Sequence, residues 1–351
     1  MGITRTLQRL PLAAVGLAAG LIMAGPVAAH GPAPAEPPTI ANLLLGWTFE
    51  PLPTLAILAA LSWWTWAVRR VNALHPANPV PGRRSVAFGG AMLALAFALM
   101  SGIDRYDTTL FSIHMVQHVL LTLVAAPLVA LSAPVTLLLR VAAPETRRRW
   151  ILPVLHSRVV RFLAFPVVAW VLFAGFMWVS HFSPLFDAAL EEPLLHDLEH
   201  LLYLGTALLF WWPAVALDPA PWRMSHPVRA LYVFLQMTQN TFLSVVILNA
   251  QTVLYPHYAT VQRSWGPTPL EDQQIAAAFM WVVGDLLFLT ASFAILLGWA
   301  RAESRDAARI DRRAAAEMAE IRIREQRLAE RLRADGAGPA TDTQPGSGAS
   351  R

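Results

Sequence analysis

The stretch from Ile113 to Leu139 reads IHMVQHVLLTLVAAPLVALSAPVTLLL. It has no acidic residue and no arginine, and it exceeds the roughly 20 residues that a helix needs to cross a bilayer. His114 and His118 lie at its beginning, four residues apart. This spacing puts both imidazoles on one helix face, with Cβ atoms about 6 Å apart. Since ionisable side chains in a span usually face the bundle interior, the stretch predicts a membrane helix with an inward-facing histidine pair.

The whole chain has the composition of a polytopic membrane protein. Of its 351 residues, 56% are hydrophobic and 14% are charged, and the apolar residues occur in long blocks separated by short polar runs. We therefore predict an all-α transmembrane helical bundle of about seven spans, within a membrane domain over residues 51–300. The predicted spans are residues 52–71, 84–101, 113–139, 162–180, 196–217, 229–250 and 276–300.

The two ends of the chain differ from this apolar middle. Residues 1–29 combine a basic start, an apolar core and a small-residue cleavage pattern, which predicts a signal sequence, with an uncleaved anchor as the alternative. Residues 30–50 then form an extracytoplasmic linker. Residues 301–334 are rich in Ala, Arg and Glu and predict a charged cytoplasmic helix. Residues 335–351 are rich in Gly, Ser and Thr and predict a disordered tail.

Arginine is distributed unevenly between the predicted loops. The first, third and fifth loops are rich in arginine, whereas the second, fourth and sixth carry mainly acidic residues. Because arginine-rich loops remain in the cytoplasm, we expect the C-terminus in the cytoplasm and the mature N-terminus outside. The sequence pI of about 10.1 then follows from membrane topology, and no nucleic-acid partner is expected.

A second histidine pair, His196 and His200, opens the fifth predicted span with the same spacing. The third and fifth spans both enter the membrane from outside. At about 1.5 Å of rise per residue, the two pairs occupy one layer just inside the outer boundary. Four imidazoles in one layer can hold one metal ion only if the third and fifth spans face each other, which the sequence does not decide.

Three methionines and one more histidine lie on the same outer side. They stand beside the first pair, at the outer end of the fourth span and at the start of the seventh. We take them as secondary candidate ligands: Met115, Met177, His181 and Met280. Asp197 and Glu199 adjoin the second pair and are candidates for orienting its imidazoles by hydrogen bonds.

This donor set favours copper. The chain has no cysteine, which excludes thiolate sites and disulfides. Imidazole binds Cu, Zn, Fe and Ni, whereas thioether favours Cu(I). Histidine together with methionine, on the oxidising side of a membrane, therefore indicates copper before zinc.

Two other cofactors stay open as alternatives. A haem could take one histidine from each of the two helices. The segment His196 to His200 also matches H-x-x-E-H, the inverted zinc-protease pattern, in which Glu199 would activate water. The protease hypothesis gives no role to His114 or His118, so we expect a protein that is not an enzyme.

The segments that carry the histidines resemble a known family, the CtaG-type cytochrome c oxidase assembly factors. This is the polytopic membrane kind found in Bacillus and many other bacteria. The similar stretches are HMVQHVLL at 114–121, APL at 126–128, HDLEHLLYL at 196–204, FWWP at 210–213, DQQ at 272–274 and MWVVGD at 280–285. They occur in the family's order, and the resemblance covers about residues 45–300.

The resemblance implies a multi-pass protein of the bacterial plasma (inner) membrane that is needed to make active haem–copper oxidase. The family's histidine motifs correspond to His114, His118, His196 and His200 in this sequence, and the resemblance implies that these four are the primary metal ligands. It also implies that copper binds at the extracytoplasmic His/Met site and is inserted into the oxidase with the protein's assistance. The expected partners are cytochrome c oxidase subunits or other assembly factors and the lipid bilayer. A metal-free assembly scaffold is the remaining alternative.

Overall fold

The computed structural model of the protein describes residues 34–336, with side chains to residue 333. Within this range the regular secondary structure is entirely helical, and no β-strand occurs. The predicted all-α class is therefore confirmed. The predicted signal sequence, residues 1–29, and residues 337–351 of the predicted tail lie outside the described residues.

Long helices alternate with short ones along the chain. The α-helices are α1 Ile40–Leu45, α2 Pro51–Leu74, α3 Gly82–Met100, α4 Gly102–Tyr106, α5 Phe111–Val119, α6 Ala126–Ser132, α7 Pro134–Val141, α8 Pro144–Thr146, α9 Leu152–Leu155, α10 Arg158–Leu163, α11 Pro166–His181, α12 Leu185–Glu191, α13 Pro193–Val215, α14 His226–Leu248, α15 Pro256–Thr260 and α16 Pro269–Gly336. Two π-helical segments occur as well, Leu120–Ala125 between α5 and α6 and Arg147–Ile151 between α8 and α9.

Several of these helices are suited to a bilayer. Between residues 34 and 336, five helical stretches are long and apolar enough to cross a membrane: Pro51–Leu74, Gly82–Tyr106, Phe111–Val141, His226–Leu248 and Pro269–Arg333. The pair α11 and α12 meets the same criteria together but is bent by 71°, and it makes a sixth if it forms one span. These apolar helices support a membrane protein, and the count of seven spans stays a prediction.

Helix α13 covers the fifth predicted span but is not among those stretches. It has 23 residues, which is long enough for a membrane. Its first turns, however, contain His196, Asp197, Glu199 and His200, and these residues lower its mean hydropathy. The polar residues of the candidate site thus weaken the hydropathy signal of the helix that carries them.

The third predicted span is not a regular α-helix throughout. Directly after α5 the chain forms the π-helical segment Leu120–Ala125, a feature that is frequent at functional sites. The carbonyl of His118 accepts a hydrogen bond from the hydroxyl of Thr122 at 2.6 Å. The carbonyl of Thr122 in turn accepts one from the indole of Trp211 on α13 at 2.9 Å. The π-helical segment is therefore tied to the fifth predicted span just beyond the first histidine pair.

The start of α5 is held by the last long helix. The carboxylate of Asp272 accepts hydrogen bonds from the backbone N–H of Phe111 at 2.7 Å and from the hydroxyl of Ser112 at 2.5 Å. The first N–H groups of a helix have no partner within the helix, and a carboxylate there also interacts favourably with the helix dipole. Asp272 thus fixes the end of α5 that carries His114.

The segments that carry the two histidine pairs pack against each other. Helix α13 contacts the π-helical segment and α6, and it also contacts α11 and α14. Aromatic rings fill these contacts, as between Phe173 on α11 and Phe210 on α13, whose centroids are 5.2 Å apart. A second buried cluster joins α2 to α3, where Trp64 stacks on Phe88 at 4.2 Å. The third and fifth predicted spans therefore face each other, which the sequence left undecided.

The outward faces of these helices are apolar. Val86, Leu201, Phe242 and Val282 are each more than half exposed. Exposed apolar surface of this kind on many helices is unfavourable in water but favourable against lipid chains. The surface and the core thus both fit a bilayer environment.

Residues from Leu296 onward form a second compact unit. Its described part is the C-terminal portion of α16, whose side chains are nearly all exposed up to residue 333. Arg309 lies 3.6 Å from Asp306, and Arg324 lies 4.0 Å from Glu320, but exposed pairs of this kind contribute little stability. The charged segment predicted as a helix is helical, and its cytoplasmic location stays a prediction.

Candidate metal centre

The four predicted primary ligands are buried together, and we call them the histidine layer: His114, His118, His196 and His200. Helix α5 supplies the first two and α13 supplies the second two, each pair from a single helix face. Their exposed fractions run from 0% for His114 to 6% for His200. The packing of α13 against the third predicted span therefore brings both pairs into one interior layer.

The distances within the layer suit one metal ion. The Nε2 atoms of His114 and His118 are 2.8 Å apart. Between the helices, the ring centroids of His114 and His196 are 5.3 Å apart, and those of His118 and His200 are 5.6 Å apart. One ligand atom from each of His114, His196 and His200 lies within 4.8 Å of the others. Because metal–nitrogen bonds are about 2.0–2.1 Å long, small side-chain adjustments suffice for these three to share an ion.

Glu199 adds a carboxylate to the layer. One of its oxygens lies within 4.8 Å of ligand atoms of His114 and His118, and the residue is only 2% exposed. Within the described residues neither carboxylate oxygen has a hydrogen-bond partner. Burying such a carboxylate is costly, and a cation in the layer would offset that cost. Asp197, the other residue expected to orient an imidazole, is exposed.

Asp107 is a residue of this site that the sequence did not reveal. Its Oδ2 lies 3.8 Å from Nε2 of His196, and its side chain is fully buried. Burial, and after it the nearby carboxylate of Asp104, raise the pKa of Asp107 well above its usual value. In the sequence Asp107 is one of two acidic residues of the second predicted loop, the other being Asp104, and no pattern distinguishes it.

Tyr258 on the short helix α15 also escaped prediction. Its hydroxyl donates a hydrogen bond to the carbonyl of Asp107 at 2.8 Å and lies 3.2 Å from Nδ1 of His114. Since the hydroxyl proton goes to the carbonyl, Nδ1 of His114 is the donor to the tyrosine oxygen. The lone pair of His114 is then on Nε2, which faces His118. Metal-binding histidines are commonly oriented in this way by a hydrogen bond from the other ring nitrogen.

The secondary candidates surround a small cavity next to the histidine layer. Its volume is about 20 Å³, enough for about one water molecule. Its wall contains His118 and all four secondary candidates: Met115, Met177, His181 and Met280. The structure thus brings these four together, although around a cavity of their own that only His118 shares with the histidine layer. We call this space the methionine cavity.

Polar residues of α16 form hydrogen bonds with neighbouring segments. The side-chain carbonyl of Gln273 accepts a hydrogen bond from the backbone N–H of Leu254 at 2.7 Å. Asp285 accepts one from the hydroxyl of Thr241 at 2.6 Å and one from the amide of Asn240 at 3.3 Å. Together with the cap formed by Asp272, these contacts give the last predicted span a positioning role.

His257 lies close to the site but is engaged elsewhere. Its Nε2 lies 3.0 Å from the carbonyl of Thr108, and its backbone N–H donates to Asp187 at 3.1 Å. These contacts link α15 to α12 and to the segment that contains Thr108. They fix the helix from which Tyr258 contacts the histidine layer.

A comparison with protein-family models identifies one family. A family model described as the cytochrome c oxidase caa3 assembly factor (Caa3_CtaG) matches residues 62–302. Similar relatives are uncharacterized proteins of Mycobacterium bovis and Mycobacterium tuberculosis, each 32% identical over 293 residues, which is 81% of this chain and 44% of the relative. An uncharacterized protein of Mycobacterium leprae is 30% identical over 287 residues, which is 80% of this chain and 43% of the relative.

The chain spans less than half the length of these relatives. No solved structure shows a significant match to it. The family match, in contrast, covers more than half of the chain and includes both histidine pairs, the π-helical segment between α5 and α6, and Asp272. The chain therefore belongs to the cytochrome c oxidase caa3 assembly factor family.

Proposed function

We propose that this protein binds copper at the histidine layer and supplies it to cytochrome c oxidase during assembly. The observation that carries the proposal is the grouping of His114, His196 and His200, whose ligand atoms lie within 4.8 Å of one another in the interior. The family assignment indicates an oxidase assembly factor, and the chemistry of the layer suggests what such a factor contributes.

The charges around the histidine layer support a bound cation. Polar and ionisable residues inside a membrane protein are costly and are usually functional. Here four imidazoles are buried next to the carboxyl groups of Glu199 and Asp107. A metal cation would use the imidazole lone pairs, and the carboxyl groups would balance its charge.

The donor types favour copper over other metals. The chain has no cysteine, and three methionines line the adjacent methionine cavity. Zinc is held by Cys, His and carboxylate ligands, whereas thioether is a soft donor that Cu(I) binds well. A nitrogen-rich layer beside thioethers is therefore best suited to copper.

The alternatives have less support from the geometry. The space beside the histidines is about 20 Å³, far too small for a porphyrin, and the imidazoles pack directly on one another, as His196 and His200 do at 4.2 Å between ring centroids. A zinc hydrolase is the second candidate function, because Glu199 lies among the histidines as the H-x-x-E-H pattern requires. In that case Glu199→Gln would retain the metal and abolish a peptidase activity.

The proposed orientation puts the histidine layer on the extracytoplasmic side. The arginine-rich loops would lie in the cytoplasm, and copper would reach the layer and leave it from outside. The partners would be oxidase subunits or other assembly factors that accept copper on that side.

The function can be tested in cells that lack this protein. We expect wild-type protein, but not a His196→Asn/His200→Asn variant, to restore the copper content and activity of the purified oxidase. A His75→Asn variant is the matched control, because His75 is exposed at the end of α2, and it should restore both. Full copper content with the double variant, at equal protein levels in the membrane, would contradict the proposal.

A further inference from the structure

The methionine cavity has a chemistry different from that of the histidine layer. The residues that line it, all within the described range, include Met115, Met177 and Met280 together with His118 and His181, and they include no carboxylate or arginine. The histidine layer, in contrast, has Glu199 and Asp107 beside it. Two neighbouring sites with different donor atoms and different charge balance should prefer different ions.

His181 is oriented as a metal-binding histidine is. Its Nδ1 lies 2.7 Å from the carbonyl of Met177. A carbonyl only accepts hydrogen bonds, so Nδ1 carries the proton and Nε2 carries the lone pair. Within the described residues Nε2 is buried and has no hydrogen-bond partner. A backbone carbonyl that fixes the protonated nitrogen is the usual support behind a ligating imidazole.

His118 borders both sites, since it belongs to the histidine layer and also lines the methionine cavity. Its Nε2 faces Nε2 of His114 at 2.8 Å. Because the lone pair of His114 is on that atom, His118 is the donor of this hydrogen bond and its own lone pair is on Nδ1. Among the described residues Nδ1 of His118 is buried without a hydrogen-bond partner. The cavity wall thus offers two unpartnered imidazole lone pairs, from His118 and His181.

The methionines are not equivalent. The sulfur of Met177 lies 3.7 Å from the amide nitrogens of both Gln236 and Gln239, so it already accepts hydrogen bonds. Met115 and Met280 are buried, at 1% and 4% exposed. We therefore assign the sulfurs of Met115 and Met280 as ligands, and Met177 as the residue that positions His181 through its carbonyl.

We propose that the methionine cavity is a second metal site, selective for Cu(I), with Met115, Met280, His118 and His181 as its ligands. This inference extends the proposed copper function. Thioether and imidazole donors are neutral and suit Cu(I). A monovalent ion also leaves less uncompensated charge than a divalent ion does in a buried cavity whose wall has no carboxylate. The histidine layer would then hold a divalent ion through His114, His196 and His200, with carboxyl groups beside it.

The two sites can be separated with two metal probes. We expect purified wild-type protein to bind Ag(I), a redox-stable analogue of Cu(I), and Co(II) at different places. Met115→Leu/Met280→Leu should weaken Ag(I) and anaerobic Cu(I) binding by at least about tenfold, a loss of about 1.4 kcal/mol of binding free energy. The same variant should leave Co(II) binding unchanged. Leucine keeps the side-chain volume and is well tolerated in cores.

Met92→Leu is the matched control, because Met92 is buried in the cluster between α2 and α3. Its Ag(I) affinity should equal that of the wild type. X-ray absorption of the Cu(I)-loaded protein should show sulfur neighbours in the wild type and in Met92→Leu, and none in Met115→Leu/Met280→Leu. Equal melting temperatures would show that the variants are folded.

The outcomes distinguish this inference from the proposed function. Unchanged Ag(I) affinity and unchanged sulfur scattering in Met115→Leu/Met280→Leu would overturn the second site. Loss of Co(II) binding in His196→Asn/His200→Asn, with Ag(I) binding retained, would support two separate sites. If the histidine layer bound no metal at all while the methionines still held Ag(I), the proposed function would fail and the Cu(I) site would stand.

Discussion

His114 and His118 present their Nε2 atoms to each other at a distance of 2.8 Å. The hydrogen bond between them, donated by His118, is the one that an incoming metal ion would replace. The imidazoles of His114 and His118 are therefore oriented toward each other by a contact that does not involve His196 or His200 on α13. This arrangement depends on side chains outside the layer, and their contributions can be measured.

Tyr258→Phe should weaken metal binding at the histidine layer. The tyrosine hydroxyl accepts the hydrogen bond from Nδ1 of His114, at 3.2 Å, and so holds the lone pair of that imidazole on Nε2. Removing such an orienting partner typically lowers metal affinity by about 10–100-fold. Titration of the purified protein with Co(II) measures the effect.

Tyr232→Phe is the control for this experiment. The hydroxyl of Tyr232 is also buried and donates to a carbonyl, that of Phe210 at 3.2 Å, but it does not touch the histidine layer. Its loss should affect stability by about 1 kcal/mol and leave Co(II) affinity unchanged. Equal affinities for the two variants would mean that Tyr258 does not orient His114.

Asp272→Ala should destabilise the fold. The carboxylate caps the first turn of α5 through Phe111 and Ser112, and loss of a helix cap costs about 0.5–2 kcal/mol. We expect a lower melting temperature, measured in detergent by circular dichroism. Asp306→Ala, which removes an exposed ion pair with Arg309, should have little effect. A melting temperature for Asp272→Ala as high as that of Asp306→Ala would contradict the capping role of Asp272.

The proposed orientation predicts a pattern of cysteine labelling. Because the chain has no cysteine, single cysteines can be introduced without background. A membrane-impermeant thiol reagent should label Glu192→Cys in intact cells, since residue 192 would lie outside. It should label Arg148→Cys only after the cells are permeabilised. Both positions are exposed, so the reverse pattern would place the histidine layer on the cytoplasmic side.

Much of the fold followed from local sequence patterns. Every predicted span is helical over most of its length, because apolar runs of that length can satisfy their backbone hydrogen bonds in lipid only as helices. The third predicted span combines α5, a π-helical segment, α6 and α7. The π-helical segment Leu120–Ala125 was not predicted, because it depends on how residues after His118 pack against α13. Helix α13 was predicted as the fifth span, but it is not among the helices apolar enough to cross a membrane, since its site residues reduce its mean hydropathy.

The candidate site was predictable only in part. The i, i+4 spacing predicted a histidine pair on α5 and another on α13. That the two pairs meet depends on the tertiary contact between the third and fifth predicted spans, which the spacing does not reveal. Asp107 and Tyr258 come from loops far apart in the sequence, and no local pattern connects them with His114. The methionines were predicted as secondary candidate ligands on the same side as the histidines, and packing places them around their own cavity with His118 and His181.

The most direct test of the central claim is the copper content of the purified protein. We expect wild-type protein that has been loaded with copper and freed of excess metal to retain the copper. The variant with all four residues of the histidine layer changed to Asn should lose the copper held there. A variant with His75 and His156 changed to Asn should retain copper, because both residues are exposed and distant from the layer in the sequence. Equal copper content in the wild type and the four-histidine variant would contradict the account.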